Sequence, residues 1–293
     1  MAVPAAEGLR QEQPQHLTVM FKKMKETQMR QFSSRLVGKF AGATVAAAIA
    51  FSGVSVAQAA GEYEKPLDVQ WGWEGPFGTF DRASLQRGFQ VYKEVCSACH
   101  GLKFLKYRNL GDDGGPGFSE AEVKAIAAAY QVTDGPNDDG DMFERPAQPK
   151  DTFKYPFENE QLGRLANNGA YPPDLTLMTK ARDGGADYTY SLLVGYEDAP
   201  ADMQMQPGMN YNKYFPGHQI AMAQPLYPDS VEYADGTEAT VDQMAKDVTT
   251  FLHWAAEPTL EARKSTGFVV MTFLVILAGL LYFTQRKIWS DQH

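Results

Sequence analysis

The chain has 293 residues, 44% of them hydrophobic, with 36 acidic side chains against 27 basic and a formal net charge of −9. That length fits one ordinary domain with extra segments at its ends, and a mean hydropathy of −0.37 confines any membrane part to a short stretch. The acid excess argues against a nucleic-acid binder, and two cysteines, Cys96 and Cys99, are too few to staple a domain of this size.

The N-terminal region has the syntax of an export signal. Lys22, Lys23, Lys25, Arg30, Arg35 and Lys39 form a basic segment, Phe40–Phe51 is apolar and alanine-rich, and Ala57-Gln58-Ala59 is a small-x-small cleavage pattern. Residues 1–59 are therefore expected to be removed, with Met1 or Met20 as the start. They carry seven basic and three acidic residues, so the mature chain keeps 20 basic and 33 acidic residues, a net charge of −13. Such a surface repels nucleic acid and anionic lipid headgroups and speeds encounter with a basic protein.

Residues 60–262 alternate short helical patterns with long loops. Leu85, Phe89, Tyr92 and Val95 make a helical stripe leading into Cys96. Ser119 and Glu122 have capping-box spacing and open a helix over Val123–Tyr130. A further helix is expected over Asn159–Asn168, stopped by Gly169, and a short one over Asp187–Val194, stopped by Gly195. Thr240 and Gln243 open the strongest pattern, with Ala245, Val248, Leu252 and Ala255 on one face and Pro258 breaking it. No alternating strand pattern exceeds four residues. The Gly/Pro-rich loops 111–117, 133–140 and 200–217 are more than an aliphatic core usually carries, and a large buried cofactor would account for them.

Gly267–Phe283 carries no charge and lies between Arg263-Lys264 and Arg286-Lys287, with Tyr282 and Trp289 placed for an aromatic belt. It is expected to anchor the chain, the transmembrane segment covering residues 263–285. With an export signal in front, residues 60–262 lie outside the cytoplasm and residues 286–293 form a short inner tail. Its uncharged stretch Gly267–Phe283 offers no charged side chain to carry ions, so no ion pathway is expected.

Cys96-Ser-Ala-Cys99-His100 at the end of a helix is the attachment signature of haem c. The two thiols are spaced to reach the two vinyl groups of one porphyrin, and the adjacent imidazole can then bind its iron. A thioredoxin-type redox disulfide would want a parallel βαβ context, which is missing, and zinc would need a fourth ligand. For electron transfer the iron needs a sixth ligand, and a methionine thioether opposite histidine raises the potential. Met142, Met178, Met203, Met205, Met209, Met222 and Met244 are candidates, with His218, His253 and His293 as competitors. The proline-braced Ile220-Ala-Met222-Ala-Gln-Pro225 context favours Met222 modestly.

The chain resembles the cytochrome c1 family, the haem c subunits of quinol–cytochrome c reductases. The resemblance rests on Arg87–His100, Asp134-Gly-Pro-Asn137, Met142-Phe-Glu-Arg-Pro146, Ala166–Leu175, Ala181–Tyr188, Tyr214-Phe-Pro-Gly217 and Ala245-Lys-Asp-Val248, in that order, followed by the C-terminal anchor. It implies a mainly α fold, a cytochrome c-type helical haem domain with long loops plus one C-terminal transmembrane helix. It implies one covalent haem c on Cys96 and Cys99, with His100 and Met222 as iron ligands. Asn167, Arg182 and Tyr188 are implied to meet the haem propionates, and Pro172 and Pro173 to pack at the haem edge. The implied role is a relay from a Rieske iron–sulfur protein to a soluble basic cytochrome c, beside cytochrome b, with no general acid or base and no activity of the isolated chain beyond electron transfer. Asp112-Asp113, Asp134–Glu144 and Glu232–Glu238 are candidate docking charges.

Some members of that family carry additional cysteines, and this chain has none to brace its loops. Two rival readings are a membrane-tethered cytochrome c working outside any reductase and an anchored thiol–disulfide oxidoreductase. The compartment is the bacterial periplasmic face of the inner membrane or, since the leader also resembles a transit peptide, the mitochondrial intermembrane space.

Overall fold

A computed structural model describes residues 63–290. The expected export signal, its cleavage pattern, both possible start sites and His293 lie outside the described residues.

Among the described residues there are seven α-helices and two small antiparallel sheets. Helix α1 (Arg82–Glu94) starts where the Asp81 carboxylate accepts the Ala83 amide, and it buries Leu85, Phe89 and Tyr92 of the expected stripe. Helix α2 (Glu120–Ala128) has the expected reciprocal cap. The Ser119 hydroxyl accepts from the Glu122 amide, and the Glu122 carboxylate accepts from the Ser119 amide. Helix α3 (Glu160–Ala166) is capped by the Asn159 side chain.

Helices α4 (Met178–Ala181) and α5 (Gly185–Val194) are separated by a left-handed Gly184 at φ +81°. The sequence pattern reveals only the later part of α5. Helix α6 (Val241–Ala256) is capped by Thr240 and ends before Pro258, as expected. Helix α7 (Leu260–Trp289) follows and extends past both ends of the expected span.

Strands β1 (Gln131–Asp134) and β2 (Phe143–Pro146) pair with Gln131 opposite Pro146, so the loop expected from residue 133 begins inside a strand. Strands β3 (Asn210–Tyr211) and β4 (Gln219–Ile220) form a second short hairpin.

The core is built where α1 crosses α6. The crossing is close enough that a Cβ on Gly88 would stand 2.0 Å from the Asp247 carbonyl oxygen, so only glycine fits there. Phe89 and Tyr92 meet Phe251 at ring distances of 5.7 and 5.8 Å, and Phe153 packs on Tyr107 at 4.5 Å. Beside the crossing, the fully buried Asp247 accepts from Arg87 Nε at 2.8 Å and Nη2 at 3.1 Å, from Ser84 at 2.6 Å and from Gln243 at 3.0 Å. Arg87 also pairs with Asp235 at 2.8 Å. A buried carboxylate is tolerated because its lone pairs are satisfied.

Helix α7 is long and apolar enough to cross a membrane, and none of its apolar stretch is buried within the protein. Its first turns are fastened to the helical domain. Glu261 accepts from the Phe80 amide at 2.8 Å and from Arg82 at 2.7 Å, while Glu257, at the α6–α7 junction, pairs with Lys180 and Arg263.

Candidate functional site

The chain leaves α1 through Val95, whose amide still donates to Val91, and turns into a 3-10 segment over Cys96–Ala98. The Cys99 and His100 amides both donate to the Cys96 carbonyl, at 3.1 and 2.9 Å, and the Ser97 hydroxyl ties back to Lys93. Helical spacing thus puts both thiols on the end of one rigid element. Both cysteines are free thiols, and Cys96 packs against the core. Burial, with the neighbouring Cys99 second, pushes the Cys96 thiol up to about 12. A thiol that exchanges disulfides is activated by the opposite shift, so the surroundings of Cys96 do not favour that chemistry.

His100 is held from two directions. Its carbonyl accepts the Tyr92 hydroxyl at 3.0 Å, and its Nδ1 lies 2.7 Å from the Pro173 carbonyl oxygen. A carbonyl only accepts, so Nδ1 carries the proton and Nε2 keeps its lone pair for a metal. Burial pulls the His100 pKa below the usual imidazole range, a shift that the Pro173 carbonyl and Asp174 oppose. The ring is therefore a neutral donor.

Pro173 is itself positioned by a lacing of two segments. The Leu175 amide donates to Gly101 at 2.9 Å, the Lys103 amide to Asp174 at 2.8 Å, and the Tyr155 hydroxyl to the Pro172 carbonyl at 3.0 Å. A Cβ on Gly101 would lie 2.2 Å from the Tyr155 ring, so the segments meet only because residue 101 is glycine. Pro172 is buried in this lacing and Pro173 is exposed. Sequence reasoning gave these prolines an edge-packing role and missed the acceptor.

Met222 follows β4 on a half-buried loop. Its carbonyl accepts from the Tyr196 hydroxyl at 3.1 Å and from Asn210 Nδ2 at 3.3 Å. The hairpin is anchored by Asn212, which is fully buried; it donates to the Leu192 carbonyl at 2.8 Å and accepts from the Tyr214 amide at 3.1 Å. Leu192 lies in α5, so this loop is fastened to that helix. Tyr196, Asn210 and Asn212 were not singled out from the sequence, where a tyrosine and two asparagines in a Met/Gly/Pro-rich loop carry no distinguishing pattern.

Tyr188 is buried in α5, and the Arg182 guanidinium is near enough to oppose the rise that burial causes in its phenol pKa. Tyr188 in turn acts on Tyr196, whose phenol is raised chiefly by burial. Electrostatic influence thus runs from Arg182 to Tyr188 and on to Tyr196, whose hydroxyl is bonded to the Met222 carbonyl. Asn167 is used differently. It ends α3, and its Nδ2 donates to the Gly163 carbonyl at 2.7 Å.

Among the rival ligands, Met244 is fully buried in α6 and receives a Ser230 contact at 3.5 Å. His253 is stacked on Trp73 at 5.0 Å, and His218 on Tyr211 at 5.6 Å. Two of the expected docking charges are in ion pairs within the chain, Asp134 with Arg145 and Asp235 with Arg87.

Among the described residues, no three His, Cys, Asp or Glu side chains converge to hold a metal by themselves. The donor set instead suits a ring that takes two thioethers at its edge and an imidazole at its centre. Residues 71–292 match the family described as the Cytochrome C1 family. The chain is 50% identical over 279 residues to a Bradyrhizobium diazoefficiens protein named cytochrome b/c1, covering 88% of this chain and 41% of that protein. It thus spans less than half the length of that relative. It is 48% identical over 237 residues to cytochrome c1 of Rhodospirillum rubrum, covering 75% of this chain and 86% of the relative. It is 49% identical over 224 residues to the mitochondrial cytochrome c1 haem protein of Schizosaccharomyces pombe, covering 76% and 72%. With its family match running from the first buried tryptophan to beyond the end of α7, the chain belongs to the cytochrome c1 family, a family of covalent haem c proteins.

Proposed function

We propose that Cys96 and Cys99 would hold one haem c through thioether bonds, that His100 Nε2 and the Met222 sulfur would ligate its iron, and that the chain passes single electrons within a quinol–cytochrome c reductase. The observation that carries this reading is the His100–Pro173 hydrogen bond, which leaves Nε2 of a neutral imidazole free one residue after the second thiol. When bound, the haem supplies the one-electron chemistry. The protein's own residues do the positioning. The α1 terminus sets the thiols, Pro173 fixes the imidazole tautomer, and Tyr196 and Asn210 hold the Met222 backbone. Arg182 and Tyr188 are proposed to meet the propionates, with Asn167 contributing the second hydrogen of its Nδ2, the first being spent on Gly163.

The electron is proposed to come from a Rieske iron–sulfur protein and to leave to a soluble basic cytochrome c drawn by the acidic surface. The pairing of b and c1 in the name of the Bradyrhizobium relative supports cytochrome b as the membrane neighbour. Residues 60–262 would face the periplasm, or the intermembrane space in a mitochondrion, with residues 263–285 as anchor and 286–293 as the inner tail.

The deciding experiment is the optical and magnetic spectrum of the holoprotein beside Met222→Leu. Loss of the weak sulfur-to-iron band and a large fall in potential are expected, and an unchanged spectrum removes Met222 as ligand. Absence of a b-type cytochrome and an iron–sulfur protein from the purified material would remove the reductase assignment.

A further inference from the structure

The turn that precedes α1 has a construction the electron-transfer site does not use. Its ends are closed by the Glu74 amide on the Trp71 carbonyl at 3.1 Å and the Thr79 amide on the Gly72 carbonyl at 3.2 Å. The Lys264 ammonium, from the second turn of α7, donates to the carbonyls of Trp73 and Gly78. Gly75 sits at φ +68°, and a Cβ on Gly78 would lie 2.0 Å from the Glu74 carbonyl oxygen. Both positions therefore require glycine. This braced turn holds the Phe77 side chain away from the core, 80% exposed.

A large aromatic ring displayed this way has a cost in water. Its place on the molecule explains it. Phe77 meets Phe268, with ring centroids 6.5 Å apart, and Phe268 is the second residue of the uncharged stretch Gly267–Phe283. The ring thus continues the apolar surface of α7 at the level where that surface begins. The far end of the span has Tyr282 and Trp289 for the interface, whereas Thr259–Gly267 contains no aromatic residue. The turn tip, Gly75-Pro76-Phe77-Gly78, is itself uncharged.

We propose that the Glu74–Gly78 turn is a second membrane contact, in which Phe77 enters the headgroup–acyl boundary of a phospholipid bilayer beside the first apolar turn of α7. Lipid is the favoured occupant because the ring extends a surface of which none is buried in the protein. Helix α7 and the turn are joined through Lys264, so two points of contact set the tilt of the helical domain on the membrane. The proposal rests on α7 spanning that bilayer.

The test uses the full-length holoprotein in its native complex, reconstituted in phosphatidylcholine vesicles. Haem attachment consumes both native thiols, so Phe77→Cys offers one site for a nitroxide label, and failure of the unmutated protein to take up label verifies this. Leu274→Cys in mid-span and Glu238→Cys on an exposed loop are the references. The label at position 77 is expected to favour oxygen over a water-soluble nickel chelate several-fold more than the label at 238, approaching the label at 274. Two results overturn the proposal while leaving the anchor intact: accessibility equal to that at 238, or shielding from both reagents, which would mean a protein neighbour. An aqueous reading at position 274 would instead remove the membrane span, and the turn's role with it.

Discussion

The two proposed iron ligands stand on supports of different kinds. His100 ends an element whose opposite face is sunk in the core, where α1 crosses α6 at Gly88 and Arg87 reaches the buried Asp247. Met222 stands on a loop between the buried Ile220 and Leu226, and its own backbone is held by polar contacts, Tyr196 and Asn210 on its carbonyl and Asn212 behind it. Apolar packing is spread over many contacts and fails with the whole domain, whereas a few hydrogen bonds fail locally. The histidine side should therefore be lost only on global unfolding, and the methionine side should open first.

The largest expected effect tests the core side. Asp247→Ala leaves Arg87 partly unpaired in a buried setting and should cost about 3 kcal/mol, the low end for a broken buried pair because Asp235 still holds the guanidinium. Helical and haem signals should melt together at a lowered temperature; an unshifted melt would show that the pair does not support the α1–α6 crossing.

The same core has a built-in acid sensitivity. His253 lies against Trp73 and Phe80, and burial pulls its pKa down to about 4. The unfolded chain binds this proton near pH 6.5 and the folded one near 4, so stability is complete above 6.5 and declines as pH falls through that window. The slope is roughly 1.4 kcal/mol per pH unit for one such group. His253→Phe, which keeps a ring against Trp73, should flatten the stability profile between pH 6.5 and 4. Persistence of the full slope would assign it to other groups.

The smallest expected effect tests the loop side. Asn212→Ala strands the Leu192 carbonyl and the Tyr214 amide and should cost about 1–2 kcal/mol. The sulfur-to-iron band of the holoprotein should disappear at a lower temperature while the helical signal moves less. Equal shifts in both would mean that the loop and the core are one cooperative unit.

Much of the architecture was legible along the chain. Ser119 with Glu122 and Thr240 with Gln243 announce their helices because a cap satisfies amides two or three residues away, within reach of local sequence. The β1–β2 hairpin was hidden, since four-residue strands show too little alternation. Helix α4 was hidden for the same reason, being a single turn whose place is set by contacts with α5 and α6.

The sequence alone determined whatever depends on covalent reach and periodicity: two thiols and an imidazole within five residues, the helices that carry their own caps, and an uncharged stretch long enough to cross a bilayer. Only the tertiary structure decided what holds those groups in place. Pro173 became the partner of His100, Tyr196 and Asn210 the partners of Met222, and Asp247 the partner of Arg87. Three of these four partnerships join residues more than ten positions apart through a main-chain carbonyl, a group that every residue carries and that leaves no mark in a sequence until folding brings a donor to it.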